Sequence, residues 1–470
     1  LQSALVSLKE DAAKVKRDVS RVDTELKLTK SELEKHEQAL NGMNKQYLFY
    51  QTLRDKIADC LDCLNTKAPL IEEAMEEMKE LRLSKAKAIR RLQDLHIRDE
   101  ADAAFEKAHD VPKEKQVDEF GRDIGGAVEK GRQARAELRK RRRAKLGIEK
   151  LGSKEEAFWT EDEAELGAQY AERRKRLLED VKAIFLDADD DFKTIDAVKE
   201  KLEQLKRRYP QAYTDTYISL SVPSLFAPYV RMELMNWRFL EHPKFEAMEW
   251  YNKLAEYGMF GDIKEDDPDL DVIPRLIEKV VTPYITDFFF TEWDPLSSKL
   301  FPAVSSLVKE VLDHVDGKLP NPQKLLSTIL DRYSHMVNVH SKVPIVPEKS
   351  DKLDAQWTFC QFQWWRALKL LKELLRWKNI LSAEVIRDLS ISHLIDNMVP
   401  FLNKEMKTKP IRVNLVIQLV KEIQSTLPQE WLDNKGPAKK LRDIVKEYGR
   451  LCSRSGVSTK NLAAINSLLR

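Results

Sequence analysis

Stepping alternately by four and three residues from Leu1 picks out Leu1, Leu5, Leu8, Ala12, Val15, Val19, Val22, Leu26, Thr29, Leu33, His36, Leu40, Met43, Tyr47, Tyr50, Arg54, Ile57, Leu61 and Leu64. Sixteen of these nineteen are apolar or tyrosine, a regularity held over about nine heptads, which predicts a coiled-coil seam rather than a globular helix. At ~1.5 Å per residue such a helix runs roughly 100 Å. Each large seam residue left in water forgoes about 1.5–3 kcal/mol of burial, so the rod is expected to pair with another helix. The seam positions taken as partner-binding are Leu5, Leu8, Val15, Val19, Val22, Leu26, Leu33 and Leu40. Thr29, His36 and Arg54 are its polar interruptions; they either set register and partner choice or mark loose packing.

Pro69 lacks a backbone donor and crowds the preceding turn, so the helix is expected to kink or restart there. Ile71, Met75, Met78, Leu81, Leu92 and Leu95 continue an amphipathic pattern to about residue 97, which predicts a bent rod or a helical hairpin over 1–97. Apolar periodicity then decays, glycines appear, and residues 98–169 read as a charged helical linker. From about residue 170 tryptophan and proline become frequent, and apolar stretches at helical spacing recur between prolines such as Pro210, Pro268, Pro320 and Pro428. Strand-like alternation is almost absent. The whole is read as all-α: a long N-terminal rod, then a multi-helix domain over 170–470, solenoid-like in architecture but without a fixed repeat.

Composition narrows the functional classes. Charged residues make up 34% of the chain and glycine only 14 of 470 residues, which suits long solvated helices and leaves little for phosphate-cradling loops. The net charge of +2 gives no global attraction to nucleic acid, so electrostatic partners must be sought in local patches. No apolar run approaches the ~18 residues of a membrane span, and no membrane association is expected. Four cysteines make no disulfide framework and point to a reducing compartment. The chain opens on Leu1, which reads as a portion of a longer protein.

Catalytic and metal-binding patterns fail one by one, so no enzyme, cofactor or metal is expected. Cys60 and Cys63 form a lone CxxC with neither a second pair nor nearby histidines, and read as packing residues. Asp187, Asp189 and Asp191 start like a calcium loop, but Phe192 stands where glycine is required and Val198 where glutamate is; an acidic helix N-terminus is the expected alternative. In Gly147, Gly152, Ser153 and Lys154 the lysine follows the serine, contrary to a phosphate loop.

Two local features remain. Arg139, Lys140, Arg141, Arg142, Arg143 and Lys145 form a basic run suited to nuclear import or to RNA-backbone phosphates, or else simply a solvated helix face. No aromatic residue lies between Phe120 and Phe158, so base stacking by this segment is not expected. The acidic group Glu155, Glu156, Glu161, Asp162, Glu163 and Glu165 is the expected intramolecular counterpart of the run. Trp357, Trp364, Trp365 and Trp377 read as helical-domain core or as interface anchors.

The stretches AYTDTYISLSVPSLFAPYVRMELMNW (Ala212 to Trp237) and IPRLIEKVVTPYITDFFFTEWDPLSS (Ile273 to Ser298) resemble the GC-rich sequence DNA-binding factor-like (GCFC) domain family. YQTLRDKIADCLDCLNTKAPLIEE (Tyr50 to Glu73) and Phe120-Gly121-Arg122-Asp123 are similar to the PAX-binding branch of that family. The resemblance implies a nuclear, non-catalytic scaffold of pre-mRNA splicing, associated with the late intron-lariat spliceosome and its disassembly. Its implied partners are a related tuftelin-interacting-protein-like GCFC protein, a DEAH-box helicase reached through that protein, and other spliceosomal proteins. The glycine-rich patch by which that family's partner stimulates the helicase has no counterpart in this sequence. A nuclear transcription or chromatin adapter is the rival that the same resemblance allows.

Overall fold

The computed structural model describes residues 2–105, 124–147, 164–259, 267–344, 353–407, 413–432, 436–454 and 463. Among them every regular element is a helix. The first is α1, Gln2–Phe105, followed by α2, Ile124–Leu146, and α3, Ala164–Ala183. Then come α4, Ile195–Arg208; α5, Pro210–Asp215; α6, Ile218–Asn236; α7, Glu249–Ala255; and α8, Val272–Leu276. A π-helical turn at Ile277–Val281 joins α8 to α9, Thr282–Thr291. Next are α10, Phe301–His314; α11, Pro320–His340; α12, Leu353–Leu375; and α13, Ala383–Asp388. After a second π turn, Leu389–Ile395, follow α14, Asp396–Lys407; α15, Val413–Thr426; α16, Gln429–Leu432; and α17, Lys439–Arg454.

The chain divides into two compact units, Leu1–Pro69 and Leu70–Arg470. The boundary lies at the predicted Pro69, but helical backbone passes through it. The helix does not restart there: proline removes one backbone bond and strains one turn, and the long helical stretches on either side carry the helix across. Residues 70–105 group with the helical domain. Ile71, Met78, Leu81 and Ala104 are buried there. Arg82 donates to the Tyr284 hydroxyl and pairs with Glu292 at 3.3 Å, and Lys79 pairs with Asp287 at 3.2 Å. Arg90 of α1 donates to the Thr291 carbonyl and Arg332 of α11 to the Trp293 carbonyl, placing two cations at the C-terminus of α9, where the helix dipole favours them. Further along, Phe105 meets Phe359 of α12 edge to face.

Proline positions the later helices in two ways. Pro210 and Pro320 occupy the first turns of α5 and α11, where a missing N–H costs nothing. Pro283 instead follows the π turn; there the Thr282 hydroxyl donates to the Ile277 carbonyl at 2.8 Å, satisfying an acceptor that the irregular backbone leaves open. The helices pack largely on elements one to three places along the chain: α6 on α8, α9 on α11, α11 on α12, α12 on α15 and α14 on α17. The aromatic centre of this core is Trp377, fully buried, ringed by Phe289, Trp293 and Phe301, its indole N–H donating to the Tyr333 hydroxyl at 2.9 Å.

Candidate interaction surfaces

From Leu5 to Tyr47 the heptad residues lie on one exposed stripe of α1. Leu5, Leu8, Val15, Val19, Val22, Leu26, Leu33 and Leu40 are between 48% and 67% exposed, as are Met43 and Tyr47. Single exposed apolar residues are ordinary on proteins, whereas a contiguous row of this length is not. The polar interruption Thr29 is already compatible with burial, because its hydroxyl donates to the Glu25 carbonyl at 2.8 Å. Arg54 turns to Asp55, 2.9 Å away.

Cys60 is buried, and its thiol is pushed up to about 11 by burial first and by Cys63 second. A thiol raised in this way is held protonated, the opposite of the thiolate that a metal ligand or nucleophile needs. No group of His, Cys, Asp and Glu able to hold a metal occurs among the described residues. Asp187, Asp189 and Asp191 sit in turns before α4 rather than at its N-terminus, which corrects that expectation: Thr194 caps α4, and Asp191 pairs with Lys201 at 3.3 Å. Nor is any helix, among the described residues, long and apolar enough to cross a membrane.

The basic run is divided by helical periodicity. Arg132, Arg135, Arg139 and Arg143 recur along one face of α2 and meet Asp99, Glu100 and Asp102 of α1. Arg135 grips Asp99 through two bonds of 2.7 and 3.0 Å, and Arg139 reaches Glu100 at 3.1 Å. Burial alone raises the Asp99 carboxyl, but the hydrogen bonds and charges of Arg135 and then Arg139 outweigh it and hold the group below its ordinary value. Lys140 and Arg141 stay exposed on the other side, with Arg141 in a loose surface pair to Glu137 at 3.6 Å. The side chains of Arg142 and Lys145 lie outside what is described, as do residues 155–163 of the expected acidic counterpart. A single six-cation surface is thus not what folds: Arg139 and Arg143 are committed to α1.

The tryptophans resolve differently from their interface reading. Trp357, Trp364, Trp365 and Trp377 are all buried, Trp364 and Trp377 completely. Trp357 stacks on Phe401 with centroids 5.2 Å apart, and Trp364 meets Trp365 edge to face. These are core residues, because tertiary packing leaves them no surface to offer.

Sequence reasoning missed a buried polar network. Lys206 of α4 places its ammonium 2.7 Å from both Asp267 and Asp269 and 3.0 Å from the Gly258 carbonyl. The Tyr213 hydroxyl donates to Asp269 at 2.8 Å and lies 2.9 Å from that of Tyr257. Burial alone would lower the Lys206 ammonium; its bonds to the two carboxylates outweigh that and raise it. Every member has a partner, so the network ties α4, α5 and the loop after α7 together without leaving a reactive group free. Its members are spread over more than sixty residues, and no local spacing announces them.

Comparison with known proteins bears on this same region. Residues 195–348 match the family model described as GC-rich sequence DNA-binding factor-like protein. The chain is 28% identical over 425 residues to "PAX3- and PAX7-binding protein 1" of Mus musculus, an alignment covering 86% of this chain and 45% of that protein. It is 25% identical over 461 residues to "Intron Large complex component GCFC2" of Mus musculus, covering 92% of this chain and 57% of that protein. To "Transcriptional repressor ILP1" of Arabidopsis thaliana it is 27% identical over 408 residues, covering 76% and 44%. The chain spans about half the length of these curated relatives. With the helical domain, the quoted motifs and the family match in agreement, the chain resembles the GC-rich sequence DNA-binding factor-like (GCFC) family and matches its model over residues 195–348.

Proposed function

We propose that this chain is a non-catalytic nuclear scaffold of pre-mRNA splicing that acts on late intron-lariat particles by holding other proteins. The observation that carries the proposal is the exposed heptad stripe Leu5–Leu40, attached to a GCFC domain and related over 92% of the chain to a protein named for an Intron Large complex. A domain with a buried aromatic core and a rod with an exposed apolar row divide the labour: the domain is the folded anchor and the rod the gripping surface. The partners proposed are a tuftelin-interacting-protein-like GCFC protein and, through it, a DEAH-box helicase. Lys140 and Arg141 are the described cations left for RNA phosphates, a contact that follows the backbone and carries no sequence code.

Affinity capture of the chain from nuclear extract tests the assignment. Co-recovery of lariat introns with a DEAH-box helicase supports it. Recovery of transcription factors or chromatin modifiers without intron RNA sinks it and favours the second reading, a transcription adapter, which the PAX-binding and transcriptional-repressor names of two relatives support.

A further inference from the structure

The charges that flank the seam specify more than an apolar partner. With Leu5, Ala12, Val19, Leu26, Leu33 and Leu40 at the a positions and Leu8, Val15, Val22, Thr29 and His36 at d, the residues preceding the four a positions from Ala12 to Leu33 are Asp11, Asp18, Glu25 and Glu32, with Ala4 and Ala39 on either side of them. Between residues 11 and 32 that edge is acidic at every turn. The opposite edge, following each d position, carries Lys9, Lys16 and Lys30 against Asp23 and Glu37, so the two edges together are net acidic. These side chains are exposed, and Asp11, Asp18 and Glu32 form no ion pair among the described residues. Glu25 has only a surface pair with Arg21 at 3.6 Å, and Asp23 one with Lys27 at 2.9 Å, contacts too weak and solvated to neutralise an edge.

A second copy of the chain answers this pattern badly in either direction. In a parallel pair each residue before an a position faces the edge residue five places further along the partner. Asp11 and Glu25 would then meet Lys16 and Lys30, but Asp18 and Glu32 would meet Asp23 and Glu37, and gain and loss cancel. In an antiparallel pair the acidic edge meets itself. Arg54, at an a position, would face its own copy across a parallel seam.

We propose that the seam of α1 is built for a helix of a different protein, one with an apolar heptad face bordered by lysine and arginine. The inference rests on reading the seam as the docking surface and adds the charge of what docks.

The test uses the full chain and two synthetic heptad peptides with one shared apolar seam, one carrying lysine and the other glutamate at every flanking position. Binding is measured by fluorescence anisotropy. The lysine peptide is expected to bind at least tenfold more tightly in low salt, with the preference collapsing near 1 M salt, where screening reaches ~3 Å. Replacing Asp11, Asp18, Glu25 and Glu32 together by lysine, at exposed positions where the helix tolerates it, is expected to reverse the preference. Equal binding of both peptides overturns the charge proposal and leaves the seam standing; binding of neither overturns both. A self-associated dimer of the chain that Leu26→Asp dissolves also overturns the proposal, and sedimentation of the isolated chain reads it out.

Discussion

Trp377 and Gly258 show how differently single residues carry this fold. Trp377 fills the space between Phe289, Trp293 and Phe301, and Trp377→Ala is expected to cost about 3–5 kcal/mol of the stability of residues 70–470. Urea denaturation followed by circular dichroism measures this; an unchanged midpoint would return the tryptophan to the interface reading. Gly258 has φ 71°, and a Cβ there would stand 2.5 Å from Asp269 Oδ2, inside the Lys206 network. Gly258→Ala is therefore expected to lose roughly 2 kcal/mol through backbone strain and displacement of the carboxylate, seen as a lower melting temperature. The tryptophans were conspicuous in sequence but ambiguous, since core and interface select the same side chains. Gly258 was invisible, because its conformation is imposed by residues distant in the chain.

At the scale of elements, α2 is held by its charge. The Asp99 carboxyl lies below its ordinary value of 3.8 in the folded chain, so its stabilising contribution is complete above that value and disappears as pH falls through the folded-state one. A spin-label pair at residues 94 and 134 is expected to report a fixed separation at neutral pH that broadens as the solution becomes more acidic than about pH 4. Asp99→Asn should broaden it at neutral pH already, at a cost of about 2–3 kcal/mol, and a distribution indifferent to both would remove the ion-pair explanation. The arginine run was legible, but its division into a paired and an open face needed helical spacing applied to each arginine and the register of α1 behind it. The long helix was legible from its heptads. Its passage through Pro69 was not, because local propensity registers the lost hydrogen bond but not the cooperative helix on both sides.

For the whole molecule, fold class and family were readable from period and motif, whereas the location of the folded anchor was not: residues 70–105 look like more rod until α9 and α12 are seen against them. What distinguishes the first unit is the exposed apolar row from Leu5 to Tyr47. Leu26→Asp with Leu33→Asp is expected to abolish partner capture while the thermal transition of residues 70–470 stays in place, since both side chains are exposed. The most direct measurement is a crosslinking map of the chain within its native nuclear particle. Crosslinks from Lys9, Lys16 and Lys30 should converge on a helix of one other protein; crosslinks from those lysines only to this chain, with no companion along the row, would contradict the scaffold reading at its root.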